Sequence, residues 1–159
     1  MGGTFILMSE YLNRFHNLRY IIAIDVIDTP LILRHYERFL SLHGGPIMMY
    51  KKEGSNFLET EEFKALDVGN AVCFIDGDHS LQGVMRDHSL ALDFANVIIH
   101  HDISSVAVPT VGHFWNFMKR ICFQECCFDE FVQQYSLPNE ETYLGIGMMK
   151  RKVSQKRTN

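Results

Sequence analysis

The stretch Asn70-Ala-Val-Cys-Phe-Ile-Asp-Gly-Asp-His-Ser80 decides the reading of this chain, because an apolar run ends abruptly in two acids, a glycine and a histidine. Residues 70–75 have the length and the Val, Phe and Ile content of a strand, and a run this apolar is expected to be buried on both faces. Polar groups then first reach a ligand at its carboxyl end, where Asp76, Asp78 and His79 stand. Ala95-Asn-Val-Ile-Ile-His100 repeats the arrangement and runs into His101 and Asp102. Two parallel strands ending this way present their acids on one rim. That rim is the candidate active site.

Outward from this pair, Leu81 to Phe94 reads as the helix that joins the two strands, giving a strand–helix–strand unit with a right-handed crossover. Upstream, Tyr20-Ile-Ile-Ala-Ile24 is a short strand ending in Asp25, and Thr29-Pro30 opens a helix with Leu31, Leu33, Tyr36 and Phe39 on its apolar side. His43-Gly44-Gly45 stops that helix. Pro46 to Tyr50 is the next strand, leading into Lys51 to Asn56, and Glu59 to Leu66 makes a short helix. Downstream, Ser104 to Pro109 is a loop and Val111 to Cys122 an amphipathic helix carrying Phe114, Trp115 and Met118. Phe128 to Gln134 and Tyr143 to Met149, with Ser136 to Asn139 as the turn, read as an antiparallel closing hairpin. The pattern is that of one α/β domain over residues 1–150, with residues 151–159 as a basic, disordered tail.

The bulk numbers agree with a single core: 159 residues, 47% of them hydrophobic. A net charge of −4 argues against nucleic acid or an anionic membrane as partner. No apolar run approaches the ~20 residues that span a bilayer, and the first residues lack a signal-peptide pattern, so a cytoplasmic address is expected. Cys73, Cys122, Cys126 and Cys127 read as reduced core thiols. Cys122, Cys126 and Cys127 suggest a zinc half-site, but no second ligand pair stands at suitable spacing.

With these residues in hand, Phe74 to Ser80, Gly83-Val-Met-Arg-Asp87, Ile99-His-His-Asp-Ile103 and Gly112 with Phe114-Trp115 resemble class I S-adenosylmethionine-dependent methyltransferases. The nearer likeness is to the sugar and small-molecule O-methyltransferase-like, cephalosporin-hydroxylase-like branch, and it runs from Gly2 to about Met149. The resemblance implies a Rossmann-like three-layer sandwich, a mostly parallel sheet with a C-terminal antiparallel hairpin. It implies S-adenosylmethionine as cofactor and a small molecule or sugar as acceptor. Gly2 and Gly3 then match the tail of the glycine turn that holds the methionine end, and Asp25 the acid that binds the ribose hydroxyls. Gly54, Ser55 and Asn56 match the adenine-lining region. The family's first strand would lie before Met1. Methylation of a small molecule or sugar hydroxyl is thus the leading expectation. An inactive remnant serving as a binding or assembly module, and a metal-dependent hydrolase on the same rim, stand as alternatives.

Each rim residue has a structural alternative. Asp76 and Asp102 suit a shared site, with Asp76 also facing the cofactor and both holding Mg2+ as in metal-dependent relatives; otherwise they cap or turn the chain. Asp78 reads better as a helix N-cap than as a ligand. His79 is the candidate general base, since an imidazole titrates near neutrality, or else a hydrogen-bonded loop residue. His100 and His101 alternate across a strand, so at most one faces the site, and His101 beside Asp102 is better placed, directly or behind a ligand. Phe114 and Trp115 at helical spacing read as core rather than as a pocket wall. The acceptor and the oligomeric state are not written in the sequence.

Overall fold

The computed structural model describes residues 3–26, 34, 46–132 and 144–152. The chain forms two compact units, residues 1–67 and 68–159. Apart from Arg34, which is helical, the expected helix from Thr29 to His43 lies outside the described residues, as do the turn from Ser136 to Asn139, Gly2 and residues 153–159 of the expected tail.

In the first unit, helix α1 (Gly3–Phe15) leads to β1 (Tyr20–Ile24), which pairs in parallel with β2 (Ile47–Lys51). Alternation along β1 buries Ile21 and Ala23 on one face. A 3-10 helix (Gly54–Glu59) and the short α2 (Glu61–Lys64) follow. They are held by an edge-to-face contact of the buried rings Phe57 and Phe63, centroids 5.6 Å apart. Lys51 lies 4.7 Å over the Phe57 ring and pairs with Glu62 at 2.5 Å. Thr60 caps α2 by accepting the Phe63 N–H. Helix α1 replaces the expected turn tail, since Gly3 is its first residue. Its sequence signals are weak for a physical reason. It has no acid in the first turn, and Leu7, Tyr11 and Phe15 are exposed whereas Ser9 is buried, so the apolar stripe does not mark the inward face.

The second unit is a four-stranded mixed sheet in the order β3-β4-β6-β5. Its elements are β3 (Ala71–Ile75), α3 (Leu81–Leu92), β4 (Ala95–His100), α4 (Pro109–Ile121), β5 (Cys126–Phe131) and β6 (Ile146–Arg151). β3 and β4 are parallel, with Ile75 opposite His100. β6 runs antiparallel to both its neighbours, so the closing hairpin inserts its second strand next to β4. Helices α3 and α4 supply Val84, Ala91, Val111, Phe114, Trp115 and Met118 to a core shared with Ile75, Ile98 and Met149 of the sheet. Phe114 and Trp115 are therefore core. One expectation about β3 needs correcting: as an edge strand it leaves Val72 46% exposed instead of burying both faces. The chain also stays ordered past residue 150, because Arg151 belongs to β6 and donates to the Leu92 carbonyl. Lys152 Nζ donates to the carbonyls of Phe123 and Gln124 at 3.1 and 3.0 Å.

The four cysteines are free, but Cys127 is exposed and so is not a core thiol. Burial, with a smaller effect of Asp87, pushes the Cys73 thiol up to about 12, which leaves it inert. Trp115 Nε1 donates to Glu130 at 2.6 Å. Lys119, bonded to the same carboxylate, and then Trp115 hold Glu130 below the usual carboxyl range. No helix among the described residues is long and apolar enough to cross a membrane.

A second polar group is built into this core. His88 of α3 and His100 of β4 are both buried and share a hydrogen bond, Nδ1 to Nε2, of 2.9 Å, stacked with centroids 5.1 Å apart and flanked by Phe114. One ring donates and the other accepts, so at least the accepting ring is neutral. Burial first, then Arg151 for His88 and His88 for His100, pushes their pKa values down to about 4 and about 3.

Two predictions follow from this packing. A Cβ added at Gly147 would lie 2.6 Å from Trp115 Cε2, so Gly147→Ala is expected to cost about 1–3 kcal/mol in urea unfolding; an unchanged midpoint would contradict it. The unfolded histidines take up protons near pH 6.5, well above the folded values, so the pair's contribution is complete above pH 6.5. It is lost as pH falls towards 4, at roughly 1 kcal/mol per pH unit for each histidine. Tm measured against pH should drop more steeply in the wild type than in His88→Leu over that window; parallel curves would refute the assignment.

Candidate active site

The parallel register of β3 and β4 places their carboxyl ends side by side. The ladder continues one step past the strands, His101 N–H donating to the Ile75 carbonyl at 3.1 Å. Asp76 and His101 therefore leave the sheet as neighbours. His101 also packs its ring near Phe74, centroids 6.1 Å apart.

The next residue, Asp102, turns the chain with φ of 62°, a left-handed conformation that an L-residue other than Gly or Asn adopts at some cost. It is held there from both sides. Ile103 N–H donates to the Gly145 carbonyl at 3.1 Å, and the Ser104 hydroxyl donates to the Leu144 carbonyl. Ser105 N–H donates to the Asp102 carbonyl, and the Ser105 hydroxyl accepts the Val108 N–H just before α4. Asp102 is left 6% exposed, with its carboxylate at the strand end.

The loop after β3 is equally determined. Ser80, not Asp78, is the N-cap of α3, its hydroxyl accepting the Gly83 N–H at 3.0 Å. Asp78 supports it: Oδ1 accepts the Ser80 N–H at 2.9 Å and Oδ2 the Ser80 hydroxyl at 3.0 Å. Those two bonds hold its carboxyl below the usual range. An added Cβ on Gly83 would collide with the Asp78 side chain, and one on Gly77 would sit 2.9 Å from the Asp87 carboxylate. Small residues at both places let the loop fold tightly, which sends His79 back over the rim.

Asp76, His79, His101 and Asp102 thus meet. His79 Nε2 lies 3.5 Å from Asp76 Oδ1 and 3.4 Å from Asp102 Oδ2. His101 Nδ1 lies 3.4 and 3.2 Å from the same two oxygens. These are ion-pair distances only for protonated rings, and neither nitrogen makes a hydrogen bond although both atoms are buried. Asp102 Oδ1 is likewise buried and unbonded. Three buried polar atoms without hydrogen bonds, converging within a few ångströms, are costly unless something bridges them. Ligand atoms of Asp76, His101 and Asp102 all lie within 4.8 Å of one another, a spacing that fits one cation. Among the described residues no such group includes a cysteine, so the zinc half-site at Cys122, Cys126 and Cys127 has no partner there.

The remaining candidates lie in the first unit. Asp25 N–H donates to the Lys51 carbonyl at 2.9 Å, so the ends of β1 and β2 are adjacent, and Asp25 Oδ1 accepts the Val26 N–H at 2.7 Å. Gly54, at φ 60°, lies so close to Val26 that a Cβ would approach Cγ1 to 3.0 Å. That brings the turn carrying Ser55 against the strand end carrying Asp25. His101 is the residue whose weight the sequence understated. Its signal was the alternation with His100, which the buried His88–His100 pair makes decisive.

No family model matches this chain, and no curated protein matches it.

Loss of the Ser80 hydroxyl should unfix the loop that carries His79. Ser80→Ala is expected to lower stability by about 1 kcal/mol in chemical denaturation, and an unaltered unfolding curve would contradict the capping role.

Proposed function

We propose that this chain is an S-adenosylmethionine-dependent O-methyltransferase acting on a hydroxyl of a small molecule or sugar, with a divalent cation at Asp76, His101 and Asp102. The observation that carries the proposal is the convergence of two carboxylates and two imidazoles at the ends of adjacent parallel strands, with His79 Nε2, His101 Nδ1 and Asp102 Oδ1 buried and without hydrogen bonds. The methyl donor rests on the resemblance of the motifs around residues 74–115 and on Asp25 and Ser55 at the ends of β1 and β2. The same resemblance supports the finer reading of the fold as a Rossmann-like three-layer sandwich.

When bound, the sulfonium supplies an already activated methyl group, and the cation lowers the pKa of a hydroxyl beside it. The protein's own tasks are then alignment and proton removal. His79 Nε2, without a hydrogen-bond partner and facing the rim, accepts the acceptor's proton. Asp76 Oδ1 and Asp102 Oδ2 flank both imidazoles and would stabilise the positive charge on His79 once it has taken that proton. Asp25 would hold the ribose hydroxyls, Ser55 the adenine end and Gly3 the methionine end of that donor.

Calorimetric titration with S-adenosylhomocysteine tests the donor. Saturable heat is expected, reduced at least tenfold in affinity by Asp25→Ala, since that change removes a bidentate acceptor. No heat at millimolar ligand would overturn the proposal.

A further inference from the structure

We infer that His101 makes this a nitrogen-containing cation centre, one that selects ions of the manganese, cobalt or zinc kind over magnesium. The inference deepens the reading of the rim as a cation site. It does not depend on the methyl donor.

Two carboxylates alone would suit magnesium, which takes oxygen ligands and keeps most of its waters. The third member of the group changes the chemistry, because imidazole nitrogen favours first-row transition ions over magnesium. Among the described residues, no hydrogen bond accounts for the Nδ1 of His101. It faces Asp76 Oδ1 at 3.4 Å and Asp102 Oδ2 at 3.2 Å, is buried and makes no hydrogen bond. The ring is not free to turn elsewhere at no cost: its backbone is pinned to Ile75 and its face lies near Phe74. Asp102, more than nine-tenths buried, adds a second oxygen with no partner, Oδ1.

The edges at His101 match the spacing of ligands around an ion of this class, and the three ligand atoms lie within 4.8 Å of one another. Bonds of about 2.0–2.2 Å to nitrogen and oxygen separate neighbouring ligand atoms by roughly 3–3.6 Å in octahedral or tetrahedral arrangements. The two nitrogen–oxygen edges at His101 fall in that range. His79 stands on the same pair of oxygens but outside the group of three, which leaves it available as the proton acceptor.

The test is calorimetry on the chelator-stripped full chain with Mn2+, Co2+ and Mg2+ in separate titrations. Co2+ and Mn2+ are expected to bind about 100-fold more tightly than Mg2+, and His101→Asp should narrow that gap to less than about tenfold. Circular dichroism confirms that the variant is folded. Pulsed electron paramagnetic resonance of the Mn2+-loaded wild type should show modulation from a directly bound nitrogen, a readout that needs no variant. Mg2+ binding within tenfold of Co2+ in the wild type, or a Mn2+ spectrum without nitrogen coupling, would overturn the inference. A protein that shows the metal preference but gives no heat with S-adenosylhomocysteine would sink the transferase proposal and leave this one standing.

Discussion

The structure around the site depends on one constraint, the parallel pairing of β3 with β4 in the register that sets Ile75 opposite His100. A slip of a single residue would turn every side chain of β4 to the other face. His100 would leave the core, and His101 would replace it there. In the register observed, His100 points down to His88 and His101 up to the rim. The core pair and the candidate site are thus two faces of one decision. The extra bond from His101 N–H to the Ile75 carbonyl carries the register past the last strand residue. Asp76 and Asp102 can then face each other.

Much of this was readable in the sequence, and the reasons differ by element. β1, β3 and β4 were placed within a residue because apolar runs ending in Asp25, Asp76 and His100 leave little choice of boundary. The helix between β3 and β4 followed from the crossover that a parallel pair requires. Helix α1 was missed because its exposed Leu7, Tyr11 and Phe15 give a stripe that does not face inward. The position of β6 between β4 and β5 was beyond reach, since a hairpin's pattern does not say which of its strands joins the sheet. Its consequence is real: Gly147 comes opposite His100, where only a missing Cβ makes room for Trp115.

For the site, the acids were legible and the histidines only in part. Asp76 and Asp102 announced themselves as strand-end acids. Asp78 read as a cap, but the cap is Ser80, and Asp78 acts one step behind it. Both residue types favour helix starts, so the sequence does not rank them. The value of His101 depended on which way β4 faces, which is a tertiary fact. The role of Asp25 and Ser55 rests on the adjacency of β1 and β2 within the first unit and on the likeness of the motifs, a different kind of support from the converging atoms of the rim.

Proton chemistry and cation binding at this rim share one premise: Asp76, His101 and Asp102 hold an ion together. Diffraction from crystals soaked in Mn2+, with data collected on either side of the manganese absorption edge, examines that premise directly. The account expects one strong anomalous peak bounded by Asp76, the Nδ1 of His101 and the carboxylate of Asp102. Absence of a peak there, with the three side chains hydrogen-bonded to one another or to water instead, would contradict it.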